Sequence, residues 1–332
     1  MYKNIMVPTD GSGFDREAIL VALRVAERCE AHIRLVRVLG SGAYLGMPGS
    51  PDGMVGTEEV MRAEVEAAER ELYALAAECR NVSTAPVTVD LEQGPIADKL
   101  GAFARRNNVD LIVISSHGRR GVARLALGSV TDLLISQTTI PVLVVKPKAS
   151  YLTPEATKEF HRIVVPLDGS SLAEQILAPV VSLAKLEEAE ITLLYVLARE
   201  EMGENPDPAS APWWEKKVAG ARAYLTRRAN EVRAQGVTAR IDVVIGDNVS
   251  EAIAHFARRE QADLVAIATH GRRGLARVVR GSVADGVIKD AMSSVLVFHP
   301  NHKAEKQLSR DENEIALEEA ARVSPALRPT FI

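Results

Sequence analysis

A glycine-rich stretch suited to holding a phosphate occurs twice in this chain. Ser116-His117-Gly118-Arg119-Arg120-Gly121-Val122-Ala123-Arg124 runs on to Gly128-Ser129, and Thr269-His270-Gly271-Arg272-Arg273-Gly274-Leu275-Ala276-Arg277 runs on to Gly281-Ser282. Each copy takes the same ten-residue step from its first glycine to Gly-Ser. A turn that ends in Gly-Ser where a helical pattern begins leaves backbone N–H groups free, with a hydroxyl beside them, and so favours an anion. The same glycines also suit ordinary turns. Arg119, Arg120 and Arg124, matched by Arg272, Arg273 and Arg277, add a diffuse positive field around each loop. His117 and His270 have no histidine or carboxylate at metal-ligand spacing and read as orienting or packing residues.

A second motif is repeated as well. Met6-Val7-Pro8-Thr9-Asp10-Gly11-Ser12 returns as Val164-Val165-Pro166-Leu167-Asp168-Gly169-Ser170. A carboxylate at the end of an apolar run can meet a ligand hydroxyl or cap the helix that follows. Phe103-Ala104-Arg105-Arg106 with Asp110-Leu111 likewise returns as Phe256-Ala257-Arg258-Arg259 with Asp263-Leu264. The chain of 332 residues therefore reads as a duplication. It divides into a first domain at 1–148, a linker at 149–159, a second domain at 160–300 and a charged tail at 301–332.

Around the motifs, short runs rich in Val, Ile and Leu alternate with helical patterns. The strands expected in the first half are Lys3–Pro8, Ala31–Leu39, Ala85–Glu92, Asp110–Ser115 and Pro141–Lys146, with helices at Phe14–Glu30, Thr57–Arg80, Ile96–Asn107 and Ser129–Thr138. The second half repeats the strands at His161–Pro166, Glu190–Leu197, Thr238–Ile245, Asp263–Ala268 and Ser294–His299. This alternation predicts an α/β fold, two tandem domains each with a five-stranded parallel sheet covered by helices on both faces. Such sheets bind ligands beyond the carboxyl ends of their strands, where the strand order reverses. If strands one and four are neighbours, Asp10 and the first glycine loop face one crevice.

Composition sets outer bounds. A net charge of −4 gives no global attraction to nucleic acid, and 47% hydrophobic residues exclude a mostly disordered chain. No run approaches the ~20 apolar residues of a membrane span, and the first apolar run leads directly into the Pro-Thr-Asp motif, so the expected location is the cytoplasm. Cys29 and Cys79 are too few for a disulfide framework.

Taken together, the motifs resemble the universal stress protein family over roughly residues 1–148 and 160–300. In that family strand one ends in Val-Pro-Thr-Asp-Gly-Ser, and strand four leads into Gly-x2-Gly-x9-Gly-Ser. The resemblance implies a Rossmann-like domain related to adenine nucleotide alpha hydrolases and, in ATP-binding members, phosphates on the glycine loop. Carried across residue by residue, it puts Asp10 and Asp168 near ribose, with Pro8, Thr9, Pro166 and Leu167 lining the pocket and Val38 and Val196 at adenine. Gly118, Gly128, Ser129 and Val130, and Gly271, Gly281, Ser282 and Val283, then surround the phosphates of ATP, taken with or without magnesium. The family's first glycine is replaced by Ser115 and Ala268, where side chains narrow the approach.

The function this implies is an ATP-binding regulatory or stress-response protein, with any hydrolysis slow and incidental. One rival is a nucleotide-free interaction module of the same fold. Another is an adenylating enzyme, for which Gly11-Ser12-Gly13-Phe14-Asp15-Arg16 only weakly resembles the phosphate loop of ATP pyrophosphatases. No Walker loop, HExxH pair or nucleophile-base arrangement accompanies it. The expected partners are an adenine nucleotide and an unidentified protein. The apolar fifth strands, Ile140–Val145 and Ser294–Phe298, are expected to pair edge to edge and join the halves as an intrachain pseudo-dimer; a further homodimer is left open. Thr9 and Thr131 against Leu167 and Ala284 predict a first site that binds at least as tightly as the second. The segments Gly40–Gly56 and Arg199–Pro212 follow strand two in each half and occupy equivalent places.

Overall fold

Runs of β-branched residues become strands here because each is covered on both faces by the apolar stripe of a helix. The computed structural model describes residues 2–13, 15–40, 57–116, 128–146, 160–199, 211–269 and 282–300. Gly118, Gly271 and Gly281, the loop arginines and histidines, the linker, the tail and most of the two segments after strand two lie outside the described residues.

The first half contains β1 (Asn4–Pro8), α1 (Arg16–Cys29), β2 (His32–Leu39), α2 (Thr57–Val82), β3 (Val87–Gln93), α3 (Ile96–Arg106), β4 (Leu111–Ser115), α4 (Ser129–Gln137) and β5 (Val142–Val145). The second contains β6 (Arg162–Pro166), α5 (Ser171–Glu174), α6 (Leu177–Glu187), β7 (Glu190–Ala198), α7 (Ala211–Ala234), β8 (Ala239–Gly246), α8 (Val249–Arg259), β9 (Leu264–Ala268), α9 (Ser282–Asp290) and β10 (Ser294–Phe298). One sheet runs through all ten strands in the order β3-β2-β1-β4-β5-β10-β9-β6-β7-β8. Pairing is parallel within each half, and β5 and β10 join antiparallel with Val144 opposite Val295 and Val142 opposite Val297.

Each face of this sheet carries one core that passes through both halves. On one face the helices α1, α2, α6 and α7 cover Ile5, Val7, Leu143, Ile163, Val165 and Leu296. On the other, α3, α4, α8 and α9 cover Met6, Val142, Val144, Val164, Val295 and Val297. The seam residues Val144 and Val295 are fully buried, and each such side chain contributes about 1.5–3 kcal/mol by leaving water. A polar contact reinforces the seam on the first face. Arg24 of α1 pairs with the buried Glu187 of α6 at 3.3 Å and lies 5.2 Å from the Phe160 ring centroid, while Arg28 donates to the Leu186 carbonyl at 2.8 Å.

The duplication is visible in the backbone as well as in the sequence. Glu30 and Glu188 end α1 and α6 with φ of 53° and 51°, and Asn108 and Gln261 follow α3 and α8 with 49° and 52°. The repeated aspartates Asp110 and Asp263 have a structural task, accepting backbone N–H groups at the start of β1 and β6. The halves differ where α1 is continuous and its counterpart is split into α5 and α6. Pro179 supplies no N–H to the preceding turn and sits within the first turn of α6, where that group is unpaired in any helix, so the helix restarts just before it. Val21 holds the equivalent position in α1 and imposes no break.

Candidate functional site

In the first half, β1 lies between β2 and β4, so the order reverses beside it. Pro8 pairs with Val36, and Met6 with Ile112. Continuing those registers places Asp10 level with Val38 on one side and Ser116 on the other. The Thr9 amide extends the ladder to the Val36 carbonyl at 2.9 Å, and the Gly128 amide returns to the Ser116 carbonyl at 3.1 Å. Val38, Asp10 and the start of α4 therefore share one edge of the sheet, although Asp10 and Gly128 are far apart in sequence.

Local chemistry fixes each of these residues. Asp10 Oδ1 accepts the Ser12 amide at 2.8 Å, which folds the chain over Gly11 at φ 73°. The N-cap of α1 is Asp15, whose carboxylate accepts no helix amide. Asp15 instead accepts the Thr9 hydroxyl, and Thr9 Oγ1 in turn accepts the Gly11 amide at 3.2 Å; both side chains are buried. Thr131 likewise donates to the Ser115 carbonyl at 3.3 Å. The two hydroxyls expected to face a ligand are thus committed to shaping the loop.

At the head of α4, Gly128 is the N-cap and brings no side-chain acceptor for the amides of the first turn. Its φ of −59° and ψ of 140° are open to any residue. A Cβ there would lie 3.6 Å from the Ser116 carbonyl oxygen and 3.7 Å from Thr131 Oγ1, ordinary contacts that the chain tolerates. Neither backbone strain nor packing against the described residues accounts for glycine at this position. Ser129 next to it is exposed and Val130 half-buried.

The second half repeats the frame with different walls. Pro166 pairs with Leu194 and Val164 with Val265, so Asp168 falls level with Val196 and Thr269. Asp168 Oδ1 accepts both the amide and the hydroxyl of Ser170, at 2.9 and 2.6 Å, and Ser170 Oγ caps α5 through the Ala173 amide at 3.1 Å. Leu167 is buried where Thr9 stands in the first half, and Val283 at the start of α9 is half-buried. Because β10 runs antiparallel to β5, the two candidate sites occupy opposite edges of the continuous sheet.

A cluster that sequence reasoning missed lies behind Asp168. Tyr195 of β7 donates to the Asp168 carbonyl at 3.4 Å and meets Tyr224 of α7 edge to face, ring centroids 6.3 Å apart. Tyr224 donates to Glu174 Oε1 at 2.8 Å, and Arg228 pairs with the same carboxylate at 2.8 Å. Burial, then the bond to Glu174, pushes the Tyr224 hydroxyl well above its usual range, so it stays a donor. The corresponding place in the first half holds Arg37, paired with Glu71 of α2 at 2.5 Å. The legible signal was that the aromatic Tyr195 replaces Arg37 between apolar neighbours that both strands keep.

Among the described residues no group of three or more His, Cys, Asp or Glu could hold a metal ion, and no helix is long and apolar enough to cross a membrane. Comparison with known proteins agrees with the duplicated architecture. The family model for the universal stress protein family matches residues 1–146 and again 159–299. A universal stress protein of Methanocaldococcus jannaschii is 30% identical over 146 residues, covering 44% of this chain and 83% of its own. One from Mycolicibacterium smegmatis is 24% identical over 304 residues, covering 89% of this chain and 97% of its own. A crystal structure of a universal stress protein from Archaeoglobus fulgidus superposes with a TM-score of 0.66 at 18% identity, over 90% of this chain and 98% of that one.

Proposed function

The chain belongs to the universal stress protein family, and on that premise we propose that it is an ATP-binding regulatory protein of the stress response with one nucleotide site in each half. The halves 1–148 and 160–300 act as its two ligand-binding domains. Asp10 and Val38 take ribose and adenine in the first, with phosphates on Gly118, Gly128, Ser129 and Val130. In the second, Asp168, Val196, Gly271, Gly281, Ser282 and Val283 do the same. Magnesium enters with the phosphates, since this ion keeps most of its waters and is bound through phosphate oxygens more often than by a protein cage.

The observation that carries the reading is Gly128. It opens α4 at the crevice where the strand order reverses, and nothing among the described residues requires it to lack a side chain. Close approach of a phosphate to uncapped helix amides supplies the missing reason. Binding biases conformation or partner choice, and hydrolysis is slow and incidental.

Extraction of freshly purified protein tests this directly. Adenine nucleotide at up to two equivalents per chain is expected, and the double variant Gly118→Ala, Gly271→Ala should bind at least about tenfold more weakly, equivalent to about 1.4 kcal/mol. Nucleotide-free protein with no affinity for added ATP would favour the interaction module, for which Ser115 and Ala268 in place of glycine speak. Conversion of ATP to AMP on a second substrate would reveal an adenylating enzyme instead.

A further inference from the structure

Helix α9 has its two ends at the two functional edges of the sheet. Its first turn, from Ser282, opens beside the candidate site of the second half. Its last residues reach the opposite edge, which is the carboxyl edge of the first half because β5 and β10 are antiparallel. Nine residues at about 1.5 Å each cover that distance of about 13 Å as one rigid rod.

At the far end a residue of the first half takes hold of it. Lys146 follows β5, and its Nζ donates to the Lys289 carbonyl at 3.2 Å and to the Ala291 carbonyl. Its amide lies 3.5 Å from Ser294 Oγ. An ammonium on the last carbonyls of a helix satisfies acceptors that the helix itself leaves open, and it sits at the negative end of the helix dipole. Lys146 also adjoins the first site's edge, since Val145 pairs with Ser115 and accepts the Ser116 amide at 3.0 Å.

The duplication is broken at this position. The residue equivalent to Lys146 is His299, whose Nδ1 lies 2.8 Å from the Thr269 carbonyl within its own half. Along its length α9 is fixed by α8, where Gly286 comes so close to Ser250 that a Cβ would stand 2.5 Å from the Ser250 Cβ. A helix held at its side and at its far end has little freedom left at its first turn.

We propose that Lys146, supplied by the first half, is a positioning residue for the nucleotide site of the second half, acting through its grip on the C-terminal carbonyls of α9. This rests on the nucleotide reading above. It makes the second site depend on the first half of the chain, and it requires Lys146 to matter more to the second site than to the first.

The test uses the full-length protein and labelling by 8-azido-ATP, with labelled peptides from each half quantified by mass spectrometry. Hydrogen exchange of Val287–Asp290, corrected for intrinsic rates, is read without nucleotide on the same proteins. Lys146→Met should lose protection in α9 and reduce labelling of the second half roughly three- to tenfold, with a smaller effect on the first half. Lys146→Arg, which keeps the charge and the donors, should restore both. Equal loss in the two halves, or unchanged labelling of the second half despite lost protection, overturns the assignment while leaving the nucleotide reading intact. If the unaltered protein labels in neither half, the nucleotide reading fails and the assignment falls with it, whatever the exchange shows.

Discussion

At Gly128 the fold and the ligand make different demands. Among the described residues a methyl group there meets only ordinary contacts, so Gly128→Ala should cost less than about 1 kcal/mol of stability, the modest penalty of alanine at an N-cap. It should nevertheless weaken ATP binding by the first half about tenfold, because the methyl group enters the space a phosphate needs. Thermal melting and titration together check this; a variant that keeps full affinity would show that phosphate does not approach this turn. Lys146 supplies a second test at the same scale. Burial lowers its ammonium from the usual 10.5 to about 8, against the opposing charge of Asp290. Below about pH 8 the group is charged in both folded and unfolded chains, and the burial cost is fully present. From there to 10.5 the unfolded chain binds more protons, so stability rises with pH. Urea unfolding of the unaltered protein should therefore gain on Lys146→Met across that interval, and a constant difference would show that its ionisation is not linked to folding. Of the candidate site residues, Asp10, Asp168, Gly128 and Ser129 were legible because their types recur in both halves. The bonds of Thr9 to Asp15 and of Thr131 to Ser115 were not, because a hydroxyl in a sequence does not say whether its partner is ligand or loop.

The elements were more readable than their junctions. Every expected strand appears within a residue or two of its expected bounds, since short β-branched runs between polar turns have few other uses in a chain of this composition. The split of α5 from α6 was hidden in one proline, and the Tyr195, Tyr224, Glu174 and Arg228 cluster joins three elements whose distances no local pattern contains. The close contact of α8 with α9 is of the same kind. Gly286 looks like a weak helix residue, and alanine there would gain about 1 kcal/mol of helix propensity. The added Cβ would, however, stand 2.2 Å from Ser250 Oγ and 2.5 Å from its Cβ. Overpacking of this sort costs about 1–3 kcal/mol, so the steric term should win and Gly286→Ala should lower stability. Combining it with Ser250→Gly should recover part of the loss; a simple sum of the two single effects would mean that α8 and α9 do not press on each other here.

Across the whole molecule, the pairing of the fifth strands was foreseeable from two apolar runs that would otherwise be open edges. Its consequence was not, for only the antiparallel register shows that the two candidate sites face opposite ways and that both cores cross the seam. A chain built on shared cores should unfold as one unit, although it consists of two similar halves. Val144 and Val297 lie on the same face of the sheet in β5 and β10 and are almost wholly excluded from water. An aspartate at either position would bury a carboxylate with no cation provided for it, a cost of several kcal/mol concentrated at the seam. The rest of each half keeps its own strands and helices, and Arg24 with Glu187 still links α1 to α6 on the other face. Calorimetry of the unaltered protein should therefore show a single transition, and the Val144→Asp, Val297→Asp variant should show two at lower temperature, with the scattering profile lengthened as the halves part. One unchanged transition in a folded variant would mean that the halves are held by the α1–α6 contact and not by the fifth strands.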